Sequence, residues 1–122
     1  MVISFYEGDG NFSFSLCLAK CISRLPNHRN FELIATSFDA VDDLIKKYPE
    51  CMAVLIELSK YSFVTIQHGV NAANLQSSFS NTTFHLLFFN FPHLAREDCI
   101  KHSSFIAHCM NRCAFLFYAT LR

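Results

Sequence analysis

The sequence has no excess charge of either sign, no tryptophan and few glycines. Ten basic and ten acidic residues cancel to a net charge of zero. That balance argues against a strong electrostatic grip on nucleic acid by this chain alone, because phosphate binding depends on concentrated positive charge. No apolar run reaches the roughly 18 residues that a membrane-spanning helix needs. The amino terminus lacks the basic segment and long apolar stretch of a secretory signal, so the chain reads as soluble and intracellular. The expected compartment is the cytoplasm or the nucleolus. Compact Cys-x-x-Cys pairs are also missing. Six cysteines in such a chain read as reduced thiols, not as a disulfide framework. The cluster Cys99, His102, His108, Cys109 and Cys113 has metal-like chemistry, but its spacing fits no usual zinc pair. No metal is expected. The sequons at Asn11 and Asn81 read as chance matches.

What is present is apolar and aromatic mass. Of the 122 residues, 52% are hydrophobic and 14 are phenylalanine, enough for one packed domain. A short apolar strand at residues 2–6 runs into Gly8-Asp9-Gly10-Asn11 and then a helix at 13–24. Glycines there let the backbone turn sharply and approach a ligand, and the following helix start presents unpaired N–H groups. The spacing predicts an apolar stripe on that helix at Phe14, Cys17, Leu18, Cys21 and Ile22, with both cysteines in the core. Pro26-Asn27 ends it.

A second strand follows at 31–36 and stops at Ser37-Phe38-Asp39. Asp39 and Asp42 flank a helix start, where acidic groups meet the positive end of the dipole. Val41, Leu44, Ile45 and Tyr48 give that helix its expected buried face, and Pro49 interrupts it. A further helix spans about 50–60, with Val54, Leu55 and Leu58 inward. The third strand, 63–67, leads into His68-Gly69-Val70-Asn71. A polar stretch at 76–83 connects to the most apolar strand, 84–91. Apolar strands alternating with helices imply a parallel sheet covered on both faces. Right-handed crossovers then bring the strand ends carrying Gly8, Asp39, Asn71 and Asn90 to one edge, where ligands of such sheets bind.

Five motifs occur in order: Gly8-Asp9-Gly10-Asn11-Phe12-Ser13-Phe14-Ser15, Ala35-Thr36-Ser37-Phe38-Asp39, Lys47-Tyr48-Pro49, His68-Gly69-Val70-Asn71-Ala72 and Asn90-Phe91-Pro92-His93. In these the chain resembles the Rossmann-like domain of the yeast-type large-subunit rRNA uridine-N3 methyltransferases. That domain also occurs in animal ferredoxin-fold anticodon-binding-domain-containing proteins. The resemblance covers residues 2–93. A flavodoxin-like or nicotinamide-binding protein would share the glycine turn and Asp39 but leaves Asn90-Phe91-Pro92-His93 unexplained.

The resemblance implies an α/β class I methyltransferase fold that binds S-adenosylmethionine and methylates a ring nitrogen of uridine in rRNA. By position, Gly8, Asp9 and Gly10, continuing into Asn11 and Phe12, would line the methionine side of the cofactor. Asp39 would accept from the ribose hydroxyls. Asn71 stands where the family commonly has an acid, at the place expected to meet the adenine, and its carbonyl oxygen can still accept from an amine. Asn90 would hold the base edge, Phe91 would stack on the ring, and His93, held after Pro92, would orient or deprotonate the base. Where relatives carry a basic, glycine-rich loop, this chain has Leu94-Ala95-Arg96-Glu97-Asp98. Residues 1–93 therefore read as the first half of the domain, with about four parallel strands, and 94–122 as an apolar, helical segment. Two expectations follow for this chain: little methyl transfer to rRNA, and self-association along the open edge of the 84–91 strand. A non-catalytic interaction module derived from such an enzyme is the alternative.

Overall fold

The second strand explains the rest of the architecture. In the sequence Glu32–Thr36 (ELIAT) every residue after Glu32 is buried, without the alternation of a one-sided strand. Successive side chains point to opposite faces, so both faces of this strand are covered. The computed structural model describes residues 2–7, 11–71 and 74–90, with β1 and most of β4 defined by backbone alone. Its elements run β1 (Val2–Glu7), α1 (Ser13–Ser23), a 3₁₀ turn (His28–Asn30), β2 (Glu32–Thr36), α2 (Val41–Lys47), α3 (Cys51–Leu58), β3 (Val64–Gln67), α4 (Leu75–Ser78) and β4 (Leu86–Asn90). This is a mixed α/β unit with a parallel sheet, as the alternation of apolar runs and helices implies.

Within the sheet the order is β3-β2-β1-β4. β1 pairs in parallel with β2 (Phe5↔Ala35, Tyr6↔Thr36) and with β4 (Phe5↔Phe88, Glu7↔Asn90), and β2 pairs in parallel with β3 (Thr36↔Gln67). All four carboxyl ends therefore lie on one edge. Leu33 and Ala35 join Phe12, Leu16, Ala19, Ile22, Leu44, Cys51, Leu55 and Leu58 in the main core. Ile34 and Thr36, one residue out of phase, are buried on the other face. Burying a side chain such as Leu33 contributes about 1.5–3 kcal/mol.

Helix α1 lies over the sheet through a face different from the expected one. Ser15, Leu16, Ala19 and Ile22 are buried, whereas Cys17 and Cys21 are exposed and Phe14 is 39% exposed. The cause is steric. Ser15 and Ala19 are small and let the helix backbone approach the strands, while α1 carries apolar residues around so wide an arc that hydrophobicity alone selects no face. The helix ends as read, with the Leu25 amide donating to the Ile22 carbonyl just before Pro26.

In α2, Asp42 and Asp43 occupy the first turn and Lys46 and Lys47 the last, both favourable to the dipole. Only Leu44 of its expected face is fully buried; Ile45 and Tyr48 are half-buried and Val41 is exposed. Leu55 and Leu58 lie on the inner face of α3, as the spacing implies; Cys51 joins them there, and Val54 is only half-buried. Inside the polar 76–83 connection the structure begins one residue early with a single helical turn, whose Leu75 is buried. The exposed ion pair Lys20 Nζ–Glu57 Oε1, at 3.1 Å, joins α1 to α3 and contributes little.

Phe12 is the residue that sequence reasoning could not foresee. It is completely buried yet adopts φ 63°, ψ 9°, the left-handed region. A bulky residue pays roughly 1–2 kcal/mol there, so burial holds a strained backbone in place. Truncating it to Ala should cost about 3–5 kcal/mol in urea unfolding. Phe12→Gly should cost about 1 kcal/mol less than Phe12→Ala, reversing the usual helix-region order, because glycine releases the strain. Thiol labelling read by peptide mass should modify Cys17 and Cys21 rapidly and Cys51 only on unfolding; equal rates would contradict the helix face described.

Candidate functional site

Parallel pairing delivers four chain exits to the same edge. β1 leaves at Glu7, β2 at Thr36, β3 at Gln67 and β4 at Asn90. Asn90 pairs with Glu7, the residue before Gly8 in the sequence, so β1 and β4 end level with each other. Gly8, Asp9 and Gly10 themselves lie outside the described residues, as do Phe91, Pro92 and His93 and the Cys99–Cys113 cluster. Among the described residues no group of His, Cys, Asp and Glu could hold a metal ion.

The start of α1 is built without a conventional cap. Asn11 Oδ1 accepts from the Ser13 amide at 3.0 Å, and the Phe12 carbonyl receives the first helical bond, from the Leu16 amide at 3.0 Å. Ser15 Oγ, one turn in, is buried with no hydrogen-bond partner among the described residues. A buried hydroxyl without a partner costs about 1–3 kcal/mol, so this end of α1 suits a polar ligand atom.

Beyond β2 and β3 the chain is laced together. The Val70 amide donates to the Ser37 carbonyl at 2.8 Å and the Gly69 amide to the Asp39 carbonyl at 3.2 Å. Gly69 sits at φ 70°, a conformation that suits glycine. Ser37, buried at 2% exposure, donates its hydroxyl to the Asp39 carbonyl at 2.8 Å. His68 Nδ1 lies 2.7 Å from the same Ser37 Oγ, and the His68 ring meets Phe12 edge-on at 5.6 Å between centroids. Thus Phe12, Asp39 and the turn leading to Asn71 are brought together. Asn71 itself is exposed.

Asp39 has a partner that the motif spacing did not reveal. Lys47, in the last turn of α2, donates to Asp39 Oδ1 at 3.0 Å, with side-chain exposures of 38% for Lys47 and 23% for Asp39. An ionised carboxylate has about four acceptor sites, so one ammonium leaves capacity for hydroxyl donors. His68, Ser37 and Lys47 were within the quoted motifs, but nothing in the sequence marked their side chains as neighbours of the site. A cleft of about 490 Å³, lined by Arg29, Phe31, Glu32, Ser62, Phe63 and Thr65, opens at the amino-terminal end of β2 and β3. It is the wrong end for a ligand of this fold type.

A parallel α/β sheet whose sequence carries Gly8 and Gly10 just after β1, with a half-buried acid after β2, defines the class of domains that bind ligands at the carboxyl edge of the sheet. Residues 6–119 match the family described as rRNA (uridine-N3-)-methyltransferase BTM5-like, and the chain belongs to that family. The match continues past His93, beyond the span covered by the resemblance in the motifs. Over 88 residues, 70% of this chain, it is 38% identical to Uncharacterized protein At4g26485 of Arabidopsis thaliana. The chain spans about 39% of the length of that relative. No solved structure matches it. No helix among the described residues is long and apolar enough to cross a membrane.

Burial lowers the pKa of His68 from its usual value near 6.5. The charged pair Asp39–Lys47 lies on the adjoining turn. A lowered folded-state pKa means that the unfolded chain binds the proton more tightly, so stability rises with pH through this window. The His68 contribution should be complete above about pH 6.5 and decline as pH falls from there toward the folded-state value. Urea midpoints measured between pH 5 and 8 should show this slope, and His68→Phe should flatten it.

Proposed function

We propose that this chain carries the S-adenosylmethionine-binding part of an rRNA (uridine-N3) methyltransferase. The observation that supports it best is the position of Asp39: a half-buried carboxylate just beyond β2, laced to the β3 exit, in a chain of this family. Gly8, Asp9, Gly10, Asn11 and Phe12 would hold the methionine side of the cofactor. Asp39 would accept from the ribose hydroxyls while keeping Lys47, and Asn71 would meet the adenine. The Ser15 hydroxyl, buried without a partner among the described residues, fits a polar cofactor at the start of α1. When bound, the cofactor supplies an electrophilic methyl group on a sulfonium.

The remaining chemistry belongs to the chain. A uridine ring nitrogen must lose its proton as it attacks, so a positioned base and a fixed geometry both lower the barrier. Asn90 would hold the base edge, Phe91 would stack on it, and His93, following Pro92, would orient or deprotonate it. The pairing of Asn90 with Glu7, which precedes Gly8 in the sequence, supports placing that element beside the cofactor. A chain with zero net charge would need further basic surface to hold rRNA. This favours a second reading, in which the chain acts as a cofactor-binding or interaction module and self-associates through the β4 edge.

Calorimetry with S-adenosylhomocysteine tests the site. Binding should weaken about 10–100-fold in Asp39→Ala, the loss expected for hydrogen bonds to a charged acceptor. Lys47→Ala, which keeps the carboxylate, should change affinity far less. Wild-type binding that Asp39→Ala leaves untouched would refute the ribose assignment.

A further inference from the structure

We infer that His68 is a positioning residue: it fastens the start of α1 and the exits of β2 and β3 into one rim. The inference rests on the adenosyl-site reading for its consequence on ligand binding, but the fastening itself is a property of the ligand-free chain. Three observations carry it. His68 is the first residue after β3. Its Nδ1 lies 2.7 Å from Ser37 Oγ beyond β2, and its ring packs edge-on against Phe12, between β1 and α1. It is therefore the side chain that joins the strained Phe12 segment to the segment carrying Asp39.

The proton inventory fixes the direction of the bond. A serine hydroxyl has one proton, and Ser37 gives it to the Asp39 carbonyl at 2.8 Å. Nδ1 must then carry hydrogen and donate to Ser37 Oγ, which leaves Nε2 as the acceptor nitrogen. The neutral tautomer is thus Nδ1–H. It completes a relay in which His68 holds Ser37, and Ser37 holds the carbonyl of Asp39. Two backbone bonds, Gly69 to Asp39 and Val70 to Ser37, run alongside. They bind β3's exit to β2's, but neither reaches Phe12. A left-handed, buried phenylalanine persists only where its surroundings over-determine it, and the imidazole ring is part of those surroundings. A rim held in place before the ligand arrives loses less conformational freedom on binding.

Three variants and one wild-type measurement test this. His68→Phe keeps a ring against Phe12 and removes the hydrogen bond. His68→Asn keeps an N–H near the Nδ1 position and removes the ring. Ser37→Ala removes the other partner of the bond. Nitrogen chemical shifts of the wild-type imidazole should report the Nδ1–H tautomer; an Nε2–H tautomer overturns the relay. In ligand-free protein, amide exchange at Gly69 and Val70 should quicken about 3–10-fold in His68→Phe and in Ser37→Ala, as for the loss of one ordinary hydrogen bond. His68→Asn should restore most of the protection. The double variant Ser37→Ala/His68→Phe should be no worse than Ser37→Ala alone, since His68→Phe removes a bond that Ser37→Ala has already removed. S-adenosylhomocysteine affinity should follow the same ranking. Exchange in His68→Phe equal to wild type, or equal loss in His68→Asn and His68→Phe, overturns the inference. Wild-type protein that binds no S-adenosylhomocysteine but shows the predicted exchange pattern would reject the ligand reading and leave the fastening established.

Discussion

Burial of β2 on both faces is the constraint from which the site follows. A strand sealed above and below must satisfy its backbone laterally, and here it does so by parallel pairing with β1 on one side and β3 on the other. Parallel neighbours share a direction, so their exits share an edge. The polar residues just beyond those exits are then forced into proximity whatever their separation in sequence. Ser37 and His68, 31 residues apart, meet for this reason.

The core explains why this edge is ordered enough to act as a site. Phe12, Leu16, Ala19 and Ile22 tie α1 to Leu33 and Ala35, while Leu44, Cys51, Leu55 and Leu58 bring in α2 and α3. The first turn of α1 is held by Phe12, a core residue and an element of the candidate site at once. Packing energy is thereby used to maintain a backbone conformation that local preference opposes.

Much of this was legible in the residues themselves. The strand 31–36 shows itself by an uninterrupted apolar run, and the observed β2 differs by one residue at its start. The inner face of α3 follows from Leu55 and Leu58 at helical spacing. The face of α1 was misread because Phe14, Cys17 and Cys21 are as apolar as Leu16 and Ile22, and close approach through Ser15 and Ala19 decided the rotation instead. At the site, Asp39 stood out as an acid after a strand, whereas its ion pair with Lys47 depended on how α2 turns back toward β2. The His68–Ser37–Asp39 relay left no pattern at all, because hydrogen bonds between distant loops have no sequence period. The left-handed Phe12 was equally silent, since that conformation usually announces itself by Gly or Asn.

The register of β1 has a consequence during synthesis. Its first neighbour, β2, is complete by Thr36, but its second neighbour, β4, is complete only at Asn90. At ribosomal speeds of about 5–20 residues per second, β1 waits roughly 3–11 s between acquiring one neighbour and acquiring the other. For that interval the nascent chain carries a half-built sheet whose future centre is temporarily its border. Any chaperone that shields this chain has its task defined in advance by that border, at β1.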